Sequence, residues 1–101
     1  MKVVFSVNFV ERVQELGPET REGLQLAVAQ VIAKPYDFDH PNLMLGAGCM
    51  EKKSRFGVRI VYCVCGKCRE AKEPHEDCEG GANREAYPDD TLLFRTIYRV
   101  F

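Results

Sequence analysis

No apolar run in this chain approaches the roughly 18 to 20 residues that a membrane-spanning helix needs. The opening stretch MKVVFSVNFVERV also lacks a basic leader followed by a cleavable apolar segment. The expectation is therefore a cytoplasmic protein with no membrane partner. Neither sign of charge dominates, since 14 Lys and Arg stand against 15 Asp and Glu for a net charge of -1, and this excludes a chain that is basic all over. There is no internal repeat and no low-complexity segment, which argues against solenoids and compositional linkers. What remains is 101 residues at 46% hydrophobic composition, enough for a single domain over 1–101 built on one core.

The charge is unevenly placed. Residues 50–72 hold seven basic side chains (Lys52, Lys53, Arg55, Arg59, Lys67, Arg69, Lys72) against two acidic ones, whereas 73–90 hold one against seven. A local basic block can attract a phosphate backbone even in a weakly acidic protein.

Hydrophobic periodicity supplies the elements. MKVVFSV reads as a strand. Asn8 with Glu11 three residues on is a capping-box pattern for a helix over 9–16, and Gly17 stops it. Pro18 suits the first turn of a second helix, whose stripe Leu24, Val28, Val31 and Ile32 runs to Lys34 before Pro35. This helical hairpin needs a sheet to cover. Residues 35–48 read as a loop anchored by Leu43 and Leu45, and CMEKKSR as a short strand. In FGVRIVYCV, Val58, Ile60, Tyr62 and Val64 fall on one face and Arg59, Val61 and Cys63 on the other. TLLFRTIYRVF is the last strand, where Arg95 and Arg99, four apart, are expected on one side. The reading is an α+β fold with an N-terminal strand and a helical hairpin packed on a mainly antiparallel sheet. Arg59, Arg95 and Arg99 are expected to form a cationic patch on its open face.

Between the last two strands lies a long connection, 65–90, of a length rarely left without internal support. It contains Cys65, Cys68, His75 and Cys78 in the spacing C-x2-C-x6-H-x2-C. A tight C-x2-C turn offers two thiolates, and the chain can fold back to add an imidazole and a third thiolate. A structural zinc stapling this loop insertion is the metal expectation, in a zinc-knuckle-like arrangement, with Cys63 as the competitor for a ligand position. Five cysteines would leave a disulfide framework with one unpaired, and a reducing compartment disfavours disulfides. Four protein ligands would close the site against catalysis.

The order of elements resembles the RelE/ParE toxin superfamily. The resemblance is carried by Phe9 to Leu16, by Arg21, Leu24 and the stripe to Pro35, by Leu45-Gly46, by Arg55-Phe56-Gly57-Val58-Arg59-Ile60-Val61-Tyr62, and by the final strand to Arg99. GVRIVY is similar to that family's G-Y-R-L-V-Y strand. The resemblance implies the toxin of a type II toxin–antitoxin system, an mRNA endoribonuclease acting on free or ribosome-bound message and held in check by an antitoxin protein. In such enzymes the RNA 2′-hydroxyl attacks the adjacent phosphate, so a proton acceptor, a donor and cations are required. By resemblance, Arg59 contacts the scissile phosphate, Lys52 stands near the general base, and Arg99 assists the leaving group. Lys53, Arg55 and Arg95 are the candidate RNA contacts. The second family lysine falls on Met50, and the family's C-terminal tyrosine has no counterpart beyond Phe101, with Tyr98 the substitute. His40 reads as a loop residue. The alternatives are a non-catalytic, ParE-like inhibitor of a topoisomerase, and a zinc-stabilised module that binds RNA or protein.

Overall fold

Ser6 decides where the first strand ends. Its backbone N–H still bonds Phe94 O (2.9 Å), as a strand residue would, while its hydroxyl already accepts from Phe9 N (3.1 Å) as a helix cap. Strand β1 (Val3–Phe5) therefore passes straight into helix α1 (Val7–Gln14). The expected Asn8 cap lies inside the helix instead, because Ser6, two residues earlier, already supplies the side-chain oxygen that an N-cap needs. The structure, a computed structural model, describes residues 1–42, 48–72 and 87–100. The expected anchors Leu43 and Leu45, and most of 65–90 including His75 and Cys78, lie outside the described residues.

Gly17 and Pro18 separate α1 from α2 (Pro18–Ala33) as their residue types require. The chain then forms β2 (His40–Pro41), β3 (Cys49–Lys53), a tight turn at Arg55–Gly57, β4 (Val58–Val64), a short helix α3 (Cys65–Glu70) and β5 (Leu92–Arg99). The five strands lie in the order β1-β5-β4-β3-β2, with β1 parallel to β5 and the other neighbours antiparallel. This is the expected α+β architecture, with β2 an additional short edge. The segment opening the 65–90 connection is α3 rather than a turn. Its first amide groups are satisfied from the chain entering β5, through Cys65 N to Thr91 O (3.0 Å) and Gly66 N to Asp89 O (2.9 Å).

Two clusters divide the sheet. On the hairpin side, Phe9, Leu24, Ala27 and Val31 pack on Met50, Val58, Ile60, Tyr62, Val64, Leu92, Phe94 and Ile97. Phe94 is the hub, with ring centroids 5.0 Å from Phe5, 5.5 Å from Phe9 and 6.0 Å from Tyr62. Each fully buried large side chain here contributes about 1.5–3 kcal/mol. On the opposite face, Cys49, Val61, Cys63, Cys65, Cys68 and Leu93 form a second dry cluster, covered in part by Tyr87.

A bulge in β5 sets which side chains share a face. Tyr62 pairs with Phe94 but Val61 pairs with Thr96, so Arg95 is the extra residue. An inserted residue shifts the alternation by one from that point on. Arg95 stays on the face opposite the hairpin, whereas Arg99 ends up opposite Val58, on the hairpin side. The expectation that Arg95 and Arg99 share a face fails here, since four residues keep the same side only in an unbroken ladder.

Candidate functional site

The three-arginine patch is thus split. Arg59 and Arg95 lie on the face away from the hairpin, and Arg99 lines a cleft of about 230 Å³ with Arg12 of α1 and with Glu15 and Leu16 just beyond its end. Lys52 pairs with Ile60 and so also faces the hairpin side, where its Nζ donates to Asp37 O at 3.5 Å. Arg55 lies with its aliphatic stem on α2, so close that a side chain at Gly23 would meet Arg55 Cδ at 2.8 Å. Lys53 pairs with Arg59 on the opposite face, and its backbone N–H donates to Asp39 Oδ2 at 2.6 Å. Arg95 Nη1 donates to Cys49 Sγ at 3.4 Å. Of the six sequence candidates, the structure brings together only Arg59, Arg95 and Lys53 on one face.

Around Arg59 it gathers different partners. His40 of β2 stands opposite Glu51 of β3, and Arg59 of β4 stands opposite Tyr98 of β5. Arg59 Nη1 is 2.8 Å from His40 Nε2, His40 Nδ1 is 3.2 Å from Glu51 Oε2, and the Tyr98 hydroxyl donates to Glu51 Oε1. Four strands thus each contribute one member of a continuous polar chain.

The protonation of this chain follows from donor chemistry. A guanidinium only donates, so His40 Nε2 must accept, and the imidazole proton sits on Nδ1, where it can be given to the carboxylate of Glu51. Glu51 is 4% exposed; a carboxylate so buried is costly unless both oxygens are engaged, and here they are. Burial raises the pKa of Tyr98, and the hydrogen bond and the charge of Glu51 raise it further while Arg59 opposes them, so the phenol keeps its proton and remains a donor to Glu51. The imidazole of His40 and the phenol of Tyr98 are partly open to solvent. Chemically the arrangement offers an imidazole oriented by a carboxylate beside a fixed cation, which suits abstraction of a proton next to an anionic group.

Sequence reasoning passed over His40 and Glu51. A usable signal existed: in CMEKKSR the alternation places Glu51 with Cys49 and Lys53 on one face, and a carboxylate facing a sheet interior demands a partner.

At the other end of this face, Cys65 and Cys68 occupy the first turn of α3, three residues apart, and both are buried beside Cys49 and Cys63. Among the described residues no group of three or more His, Cys, Asp or Glu is arranged to hold a metal ion. The donor type suits zinc, but the remaining expected ligands, His75 and Cys78, lie outside the described residues. Among the described residues no helix is long and apolar enough to cross a membrane.

No protein-family model matches the chain, and no curated protein sequence matches it. Solved structures do. The isolated RelE toxin of E. coli is similar at a TM-score of 0.64 and 16% identity, over 99% of this chain and 84% of that one. A chain of the intact E. coli RelBE toxin–antitoxin complex gives 0.64 and 16%, over 99% of this chain and 96% of that one. A double arginine-to-alanine mutant of E. coli RelE in the free state gives 0.60 and 15%, over 97% and 81%. At these identities the likeness is one of fold, and one fold hosts many functions.

Proposed function

We propose that this protein is the toxin of a type II toxin–antitoxin pair and cleaves mRNA by attack of the RNA 2′-hydroxyl on the adjacent phosphate. The observation that carries the reading is the Arg59–His40–Glu51–Tyr98 chain, built from four strands on the sheet face opposite the hairpin, in a chain with the fold of RelE. On binding RNA, Arg59 leaves His40 for the scissile phosphate, which frees the Nε2 lone pair. His40 then takes the 2′-hydroxyl proton, and Glu51 stabilises the imidazolium through Nδ1. The 2′-oxygen bonds phosphorus, the bond to the 5′-oxygen breaks, the departing oxygen takes a proton from water at this open end, and the hydroxide so formed removes the proton from His40 and restores the neutral imidazole. Arg59 bears the charge that builds on the phosphorane, Lys53 adds positive potential, and Tyr98 holds Glu51 in place. Lys52 and Arg99 have no direct part in this scheme.

An antitoxin is the proposed protein partner, by analogy with the RelBE complex, and mRNA on the ribosome the proposed substrate. The test is to induce the protein and to assay it, purified, on message bound to ribosomes and on free RNA. Cleavage leaving a 2′,3′-cyclic phosphate, lost in Arg59→Ala and His40→Ala with the fold retained, is expected. Growth arrest with uncut RNA would overturn the reading in favour of a protein target such as a topoisomerase. Salt-dependent RNA binding without toxicity would overturn it in favour of a binding module.

Zinc is the proposed structural cofactor, held by Cys65, Cys68, His75 and Cys78. The support is a pair of buried thiols one helical turn apart at the head of α3. About one zinc per chain, lost in Cys68→Ser, is expected on metal analysis; a zinc-free protein with an unchanged fold would overturn it.

A further inference from the structure

The turn joining β3 to β4 carries an aromatic residue in a conformation that aromatic residues avoid. The N–H of Val58 bonds Arg55 O, and the two central residues, Phe56 (φ 57°, ψ 33°) and Gly57 (φ 75°), are both left-handed. This is a type I′ turn, whose first central position is normally Asn, Asp or Gly. For a bulky side chain a positive φ is an outlier that the surroundings must hold in place. They do so from both sides. Gly57 O accepts from Val100 N at 2.8 Å, a Cβ on Gly57 would come within 2.2 Å of Val100 O, and Arg55 is seated on α2 at Gly23. The turn is a fixed mount.

The ring it mounts serves no core. Phe56 is 58% exposed, so the strain is not offset by burial. Nor does sheet twist call for an aromatic, since Asn at that position would make the same turn without strain. Its sequence neighbours are all cationic or neutral: Lys52, Lys53, Ser54, Arg55 and, three residues on, Arg59. Three residues span at most about 11 Å of chain, so the mount of the ring lies within that reach of Arg59, the residue that meets His40. A rigid, protruding aromatic in a basic surround next to a phosphate-binding arginine has the chemistry of a nucleobase platform, because every base offers a π-face and the neighbouring cations hold its phosphates.

We propose that Phe56 stacks on a base of the RNA adjacent to the phosphate held by Arg59, as a sequence-tolerant positioning contact. This rests on the RNA-cleavage reading above and extends it to a binding subsite. The test compares wild type, Phe56→Asn and Phe56→Tyr for binding of a single-stranded 2′-O-methyl oligoribonucleotide, which cannot be cut, and for cleavage of the matching RNA. Phe56→Asn should weaken binding by about tenfold or more, as loss of one base-stacking contact does, with Phe56→Tyr close to wild type. The thermal midpoint of Phe56→Asn should hold or rise, because Asn tolerates the left-handed region, and this separates lost stacking from lost structure. If wild type binds and cleaves RNA and Phe56→Asn does both equally well, the stacking proposal is overturned while the nuclease reading stands. If wild type neither binds nor cleaves RNA, both fall. If Phe56→Asn instead loses binding to the antitoxin alone, the ring belongs to a protein interface and the proposal is overturned.

Discussion

Replacing Glu51 by Gln tests whether a buried carboxylate sets the position of the proton on His40. In the native chain Glu51 accepts at both oxygens, from Tyr98 and from His40 Nδ1 at 3.2 Å. Gln keeps the shape but turns one acceptor into an NH2 donor. If the NH2 faces His40, the ring must accept at Nδ1 and carry its proton on Nε2, where it meets the donor Arg59 Nη1 at 2.8 Å. If the amide oxygen faces His40, the tautomer survives, but no negative charge remains to stabilise the imidazolium. The first arrangement removes the proton acceptor and the second weakens it. General-base assistance is typically worth about 10²–10⁴ in rate, so single-turnover cleavage should slow by that factor. Stability should fall by only about 1.5–3 kcal/mol, the scale of a hydrogen bond to a charged group. Circular dichroism and a thermal melt would show the fold intact while gel-resolved cleavage collapses. A Glu51→Gln protein that cuts RNA at near wild-type rate would refute the assignment of His40 as the base.

Arg59→Ala should lower cleavage by about 10²-fold or more, as removal of a charge-stabilising donor does, whereas Arg99→Ala, on the other face, should retain most of the activity; equal losses in a side-by-side rate assay would place Arg99 at the phosphate and refute the split of the faces. Gly57→Ala should cost at least about 2 kcal/mol, from an L-residue forced into the left-handed region and a Cβ driven to within 2.2 Å of Val100 O. For a chain of this size that lowers the thermal midpoint by about 8–16 °C, and an unchanged melt would contradict the turn geometry. Burial pushes the hydroxyl of Tyr62 up to about 12, with the charges of Asp37 and Asp39 adding to it. Since the folded pKa lies above the unfolded value of about 10, the folded state holds this proton more tightly. Its contribution is fully present below about pH 10 and is lost as pH climbs toward 12, roughly 3 kcal/mol in all. Tyr62→Phe should flatten that part of the alkaline stability profile in urea titrations, at a cost near neutrality of about 1 kcal/mol for the lost bond to Pro35 O.

What could be read from the sequence was what depends on one segment at a time. The alternation in β4 is continuous over Val58–Val64, and the structure keeps it, with Val58, Ile60 and Tyr62 in the hairpin-side core. The start of α2 at Pro18, after Gly17, is a local matter of backbone dihedrals and fell where the residue types put it, whereas α1 ends at Gln14, short of the expected 16. The bulge at Arg95 was illegible because it is a relation between two strands: nothing in LLFRTIYR reports that β4 offers one residue where β5 offers two. That one residue moved Arg99 across the sheet. His40 was illegible for a related reason. It lies in a two-residue strand whose existence depends on pairing with Glu51 and Met50, and a strand so short has no period to detect. Glu51 was visible as a charge but not as a buried one, and the groups that engage its carboxylate, Tyr98 and His40, lie 47 and 11 positions away in sequence.

The same dependence makes the polar chain a readout of sheet register. Its members come from β2, β3, β4 and β5, and a slip of one residue in any pairing would turn one of them to the hairpin side; where that member is His40 or Tyr98, one oxygen of the buried Glu51 carboxylate loses its partner, at a cost of about 1–3 kcal/mol. The site therefore exists only when all four strands are aligned. Strand β3 also ties it to the cysteine end of the face, because Cys49 and Glu51 are two residues, about 7 Å, apart on one side of one strand. Arg95 adds a second tie through its bond to Cys49 Sγ. A change in the packing under α3, such as a substitution of Cys68 where it lies against Gly48, thus acts on Glu51 through a stiff extended segment, and on the proposed function its first sign should be a slower cleavage step with RNA affinity little altered.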